Sequence, residues 1–166
     1  MNILESAKNS DIDVCWDILA DGRRFQREQG FVQWTDDYPN RDTVKDDILS
    51  KKGYVLKVDG ATAGYMCIDF SGEPAYESID GSWRSEKNYA VIHRMAFRKI
   101  FCGKGLSEAA FSLAEKLCIE QGVDYLRIDT AYPNKRMQHI LEKNGFKYCG
   151  VIKYQGSERL AYDKFL

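Results

Sequence analysis

The chain has 166 residues, 44% hydrophobic and 30% charged, which suits a single domain over residues 1–166 with a sizeable buried core. Its net charge is -1 and its pI about 6.1, so no basic field recommends nucleic acid or an anionic membrane as partner. No apolar run approaches the roughly 20 residues that span a bilayer. The start, Met1-Asn2-Ile3-Leu4-Glu5, lacks the basic flank and apolar core of a signal peptide, so a cytoplasmic protein is expected.

Asn2 to Ala7 reads as a strand. Ser10 or Asp11 then caps a helix with Ile12, Cys15, Trp16 and Leu19 on one face. A polar, aromatic connection carries Phe25, Phe31, Trp34 and Tyr38-Pro39, and a second helix over about 41–50 presents Val44, Ile48 and Leu49. The period then switches: strands 54–58 and 61–70 flank Asp59-Gly60, a strong two-residue hairpin signal. A charged loop over 71–88 holds Tyr76 and Trp83 and leads into an apolar, β-branched strand over 89–97.

After a short basic link, Leu106, Ala110, Leu113, Ala114 and Leu117 recur at helical spacing until Gly122 stops them. Residues 125–130 read as a strand. Pro133-Asn134 opens a short helix with Met137, Ile140 and Leu141 inward, ended by Asn144-Gly145, and 147–154 with 158–165 closes the chain as a hairpin. The order βααββ, β-turn-α, β-α, ββ predicts an α/β protein of mixed α+β type, a mixed sheet with helices on its faces.

The five cysteines, Cys15, Cys67, Cys102, Cys118 and Cys149, are odd in number and none is paired at zinc-site spacing. Neither a metal nor a disulfide is expected, and Cys102 is the one thiol placed in an exposed turn.

That turn, Cys102-Gly103-Lys104-Gly105-Leu106-Ser107, joins the strand ending Met95-Ala96-Phe97 to the long helix. Glycines let main-chain N–H groups approach a ligand closely, and the helix start adds unpaired donors and partial positive charge, so a phosphate or pyrophosphate is the natural occupant. The nucleoside-triphosphate loop needs four residues between its glycines, which are absent here. The dinucleotide fingerprint wants a third glycine where Glu108 stands, although Asp124 and Asp129 lie about the right distance downstream. An ordinary strand-to-helix turn is the remaining alternative.

The element order and three local signatures resemble the GNAT superfamily of N-acetyltransferases over essentially the whole chain. Arg94-Met95-Ala96-Phe97 is similar to the family's fourth strand, Cys102 to Ser107 to its pyrophosphate loop, and Asn134-Lys135-Arg136-Met137 through Gly145-Phe146 to the helix and Gly-Phe boundary after its fifth strand. The loop departs from the family's pattern at Cys102, where Arg or Gln is usual, and at Ser107, where Gly or Ala is usual.

The resemblance implies a GNAT-type central mixed sheet of six to seven strands flanked by about four helices, with acetyl-CoA as co-substrate. Main-chain groups of Cys102, Gly103, Lys104, Gly105, Leu106 and Ser107 would hold its pyrophosphate, and those of Met95 and Phe97 its pantetheine arm. Lys104 would add charge near phosphate or simply stay solvated. Asn134 would reach the pantetheine amides, cap the following helix, or both.

The implied reaction is direct attack of a primary amine on the thioester. A lysine-like amine has a pKa of about 10.4 and must lose its proton first. Alternation along the strand places Val91, His93 and Met95 on one face, which makes His93 the candidate base, or else a core histidine. The amide of Met95 would stabilise the oxyanion. Leu141 stands where the family often carries a tyrosine acid. Tyr132 is the candidate substitute, with packing against Pro133 as the alternative, and His139 reads as surface.

Phe25, Phe31, Trp34, Tyr38, Tyr76 and Trp83 either line the acceptor cleft or lid the core. The resemblance implies a small-molecule or peptide amine as acceptor; many family members pair as homodimers, although the sequence itself marks no interface. Leu141 and the lack of a clear carboxylate base keep a non-catalytic acyl-CoA-binding or regulatory module as the alternative.

Overall fold

The computed structural model describes residues 1–166. The chain divides into two compact units, one of residues 1–68 with 93–114 and one of 69–92 with 115–166.

In the first unit β1 (Asn2–Ser6) runs antiparallel to β2 (Gly53–Val58), which runs antiparallel to β3 (Ala61–Asp69). Asp59 and Gly60 both adopt positive φ, 49° and 85°, the left-handed pair that a two-residue hairpin requires and that Asp-Gly supplies cheaply. α1 (Ile12–Glu28) and α2 (Arg41–Leu49) bury Cys15, Ile18, Leu19 and Val44 with Val55 and Tyr65 of the strands. Asn40 caps α2: its Oδ1 accepts from the Thr43 amide at 3.0 Å, while Thr43 Oγ1 accepts from the Asn40 amide at 3.1 Å.

Two expectations are corrected here. α1 extends to Glu28, so Phe25 belongs to the helix and not to the connection. Gly22 sits inside α1, where a Cβ would stand 2.8 Å from Trp34 and 3.0 Å from Ala96; packing, not a turn, demands the glycine. Leu49, expected on the buried face, is 62% exposed, since Val44 and Ile48 four residues apart already define that face.

The second unit is built on β6 (Tyr125–Ala131). The start of β5 (Ala90–Phe97) pairs parallel with it through Ala90↔Leu126 and Val91↔Arg127, and β8 (Ser157–Phe165) pairs antiparallel on its other side. β7 (Lys147–Tyr154) completes the closing hairpin, and β4 (Asp80–Gly81) pairs with β7. β4 arises inside the segment read from sequence as a loop. Gly81 and Gly150 face each other there with φ of 135° and 149°, and a Cβ on either would lie 2.2 Å from a carbonyl oxygen of the opposite strand.

With α3 (Leu106–Glu120) and α4 (Lys135–Lys143), the elements make a mixed α+β fold with four helices. Its eight-stranded sheet has the order β1-β2-β3-β5-β6-β8-β7-β4. No helix is long and apolar enough to cross a membrane.

Candidate active site

β5 ends at Phe97. One turn of 3-10 helix over Lys99–Phe101 leads to Cys102, and α3 begins at Leu106. Gly103 and Gly105 stand at φ of 76° and 71° with open space where a Cβ would be. The left-handed backbone, not crowding, is therefore what selects glycine at both positions. The helix that follows leaves its first main-chain N–H groups without intrahelical partners, at the positive end of its dipole.

Gly103, Lys104 and Gly105 are exposed, while Leu106 and Ser107 are half-buried. The Lys104 ammonium lies 5.9 Å from the Phe101 ring. Cys102 is half-buried, contrary to its reading as the exposed thiol, and its Sγ lies 3.5 Å from the Arg98 carbonyl. Beside the turn, Cys102, Phe97, Ala96, Phe25, Gly22 and Lys99 line part of a cavity of about 310 Å3.

Upstream, Arg94 occupies the left-handed region at φ 52°. An arginine there costs on the order of 1–2 kcal/mol, and side-chain bonds hold it. Arg94 Nε and Nη2 donate to Asp47 of α2 at 3.0 and 2.6 Å, and Nη1 donates to the Tyr38 hydroxyl at 2.7 Å. Tyr65 donates to the same carboxylate at 2.6 Å. Burial first, then Asp47, hold the Tyr65 hydroxyl above the ordinary tyrosine range, so it remains a donor.

The turned residue 94 breaks the alternation that grouped His93 with Met95 on one face. His93 and Met95 flank it, both half-buried. Of the aromatics held open between cleft and core, Phe31, Trp34, Tyr76 and Trp83 are all under 10% exposed and belong to the core. The Trp34 amide donates to the buried Gln26 side chain at 3.0 Å. Tyr38 instead meets Arg94, a partnership that sequence alone did not indicate.

In the second unit, Asn134 Oδ1 accepts from the Met137 amide at 3.1 Å, which is the helix cap. Tyr132 is 65% exposed, and the Lys135 ammonium sits 4.2 Å from its ring centroid. Leu141 is fully buried and His139 exposed. Asp129 was noticed in sequence only as a distant carboxylate. It is buried and accepts from the Tyr76 hydroxyl at 2.7 Å and from Arg159 at 3.3 Å. Burial outweighs both partners and pushes its carboxyl above the ordinary aspartate range.

The sequence model of the Acetyltransferase (GNAT) family matches residues 18–146. A GNAT-family acetyltransferase crystal structure from Streptococcus agalactiae 2603 is 32% identical with a TM-score of 0.90, covering 99% of this chain and 95% of that one. One from Listeria monocytogenes 4b F2365 is 25% identical with a TM-score of 0.78 over 99% and 95%. The aminoglycoside acetyltransferase AAC(6')-Ib, solved with coenzyme A and kanamycin, is 18% identical with a TM-score of 0.73 over 99% and 95%; that likeness is one of fold. No curated protein sequence matches the chain.

Proposed function

Because the chain belongs to the GNAT acetyltransferase family, we propose that it moves an acetyl group from acetyl-CoA to a primary amine by direct attack within a ternary complex. The observation that carries this reading is the pair of left-handed glycines, Gly103 and Gly105, immediately before α3. A diphosphate satisfies the main-chain donors from Cys102 to Ser107 and the positive end of the helix together.

Met95 and Phe97 offer main-chain groups to the pantetheine arm. Asn134, whose Oδ1 accepts from the Met137 amide, is a pantetheine contact by family resemblance. The Met95 amide, next to the turned Arg94, is the donor for the thioester oxyanion. His93, on the other side of Arg94, accepts the amine's proton.

The thiol that departs has a pKa of about 8.5 and leaves tolerably as thiolate, so Leu141 in place of an acid is no obstacle, and the exposed Tyr132 is the candidate group to return a proton. No acyl-enzyme forms. Burial pushes the Cys15 and Cys118 thiols up to about 12, which leaves them inert as nucleophiles. Five free thiols suit a reducing, cytoplasmic setting.

His93→Ala is expected to lower kcat by about 10²–10⁴-fold at neutral pH and leave the affinity for CoA unchanged. The rate of the variant should climb with pH as free amine replaces the missing base. Steady-state kinetics over a panel of amines from pH 6 to 9 checks this. A pH profile unaltered by the substitution removes His93 from the reaction, and absence of turnover with every amine favours the non-catalytic acyl-CoA-binding module.

A further inference from the structure

The cavity of about 310 Å3 beside the turn before α3 belongs to the first unit. Gly22 and Phe25 of α1 line it together with Ala96, Phe97 and Cys102, which makes most of its wall apolar. Phe25, Phe97 and Cys102 are half-buried, so their side chains stay within reach of a ligand. The charged groups in the lining are two carboxylates, Asp21 and Glu28, and two cations, Arg24 and Lys99, and Asp21 is ion-paired with Arg24. The lining therefore has no net charge and favours an uncharged occupant over a further phosphate.

The occupant follows from the acetyl-CoA reading, on which this inference rests. In coenzyme A the diphosphate is joined through one methylene to a carbon that bears two methyl groups, and the first amide carbonyl lies two carbons further on. With the diphosphate at Cys102 to Ser107 and the amides along Met95 to Phe97, the dimethyl carbon falls next to Phe97 and Cys102, where the cavity is. A dinucleotide carries the same diphosphate, but there it leads to a ribose whose hydroxyls find no partner on an apolar wall. The turn alone reads a diphosphate and does not tell the two apart.

We propose that the cavity takes the dimethyl carbon of the coenzyme's pantoyl unit, and that Phe25 thereby selects coenzyme A over nucleotides that share its diphosphate. Gly22 lets α1 lie close to the strand, since a Cβ there would stand 3.0 Å from the Ala96 methyl, and Phe25 follows on the same helix face. Two methyl groups leaving water for contact with the Phe25 and Phe97 rings strengthen binding about tenfold.

Calorimetric titration of the full chain compares CoA, a CoA analogue lacking both pantoyl methyls, and ADP-ribose. CoA is expected to bind about tenfold more tightly than the demethyl analogue. Phe25→Ala should weaken CoA about tenfold and the analogue by no more than about twofold, so that the two converge. ADP-ribose should be unaffected by the substitution.

Equal binding of CoA and the analogue to the unaltered chain, or a preference that survives Phe25→Ala, overturns the proposal. Should Phe25→Ala fail to fold, the pair of ligands on the unaltered chain still decides. Absence of heat from CoA itself would remove the acetyl-CoA reading as well, which equal binding of the two ligands would leave standing.

Discussion

Replacing Asp47 with alanine is expected to cost about 3–5 kcal/mol of unfolding free energy and most of the turnover. Asp47 and Arg94 are 8% and 11% exposed, so the substitution would leave a guanidinium inside the protein with Tyr38 as its remaining side-chain partner and would free the Tyr65 hydroxyl of its acceptor. Breaking one partner of a buried pair costs far more than the pair contributes in net stability. The double substitution Asp47→Leu with Arg94→Met should therefore recover much of the stability, because it removes both charges. It should not recover kcat, because the bonds that hold residue 94 in its left-handed state, between His93 and Met95, would still be missing. Urea unfolding and steady-state kinetics on the single and double variants separate the two effects. A loss below about 1 kcal/mol for Asp47→Ala would show that the pair is not the clamp described.

Gly105→Ala is expected to raise the dissociation constant for CoA about 10–100-fold while costing only about 1–2 kcal/mol of stability. The asymmetry follows from the geometry. A methyl group at residue 105 meets nothing within 4 Å, so the fold loses only the left-handed preference of glycine at φ 71°. The binding loss is larger because relaxing that φ re-aims the N–H groups around it, and one or two charge-assisted hydrogen bonds are worth a factor of ten or more in affinity. Gly103→Ala should behave alike, and the same change at Gly60, in the Asp59-Gly60 hairpin, should cost stability without touching CoA. Calorimetry and thermal unfolding on the three variants make the comparison.

What could be read from the sequence was what short-range chemistry dictates. Asp59-Gly60 fixes its hairpin by two left-handed residues in a row, Asn134 caps α4 from one turn away, and Gly103 and Gly105 mark their turn because no other residue tolerates that backbone so cheaply. Features set by distant partners stayed hidden. The need for Gly22 within α1 had no local signal, because Trp34 and Ala96, which require it, lie elsewhere in the chain. The turned Arg94 has no local signature, since its conformation is held by Asp47, 47 residues away. Period-2 alternation placed His93 and Met95 on one face only because it could not foresee residue 94.

Gripping of the coenzyme's diphosphate by the turn from Cys102 to Ser107 is tested most directly by a competition titration. The protein is loaded with CoA in a calorimeter and challenged with ADP and with adenosine, which differ only in the diphosphate. Saturable CoA binding that ADP displaces and adenosine at equal concentration does not is the expected result. No heat from CoA, or displacement by adenosine as complete as by ADP, would contradict it.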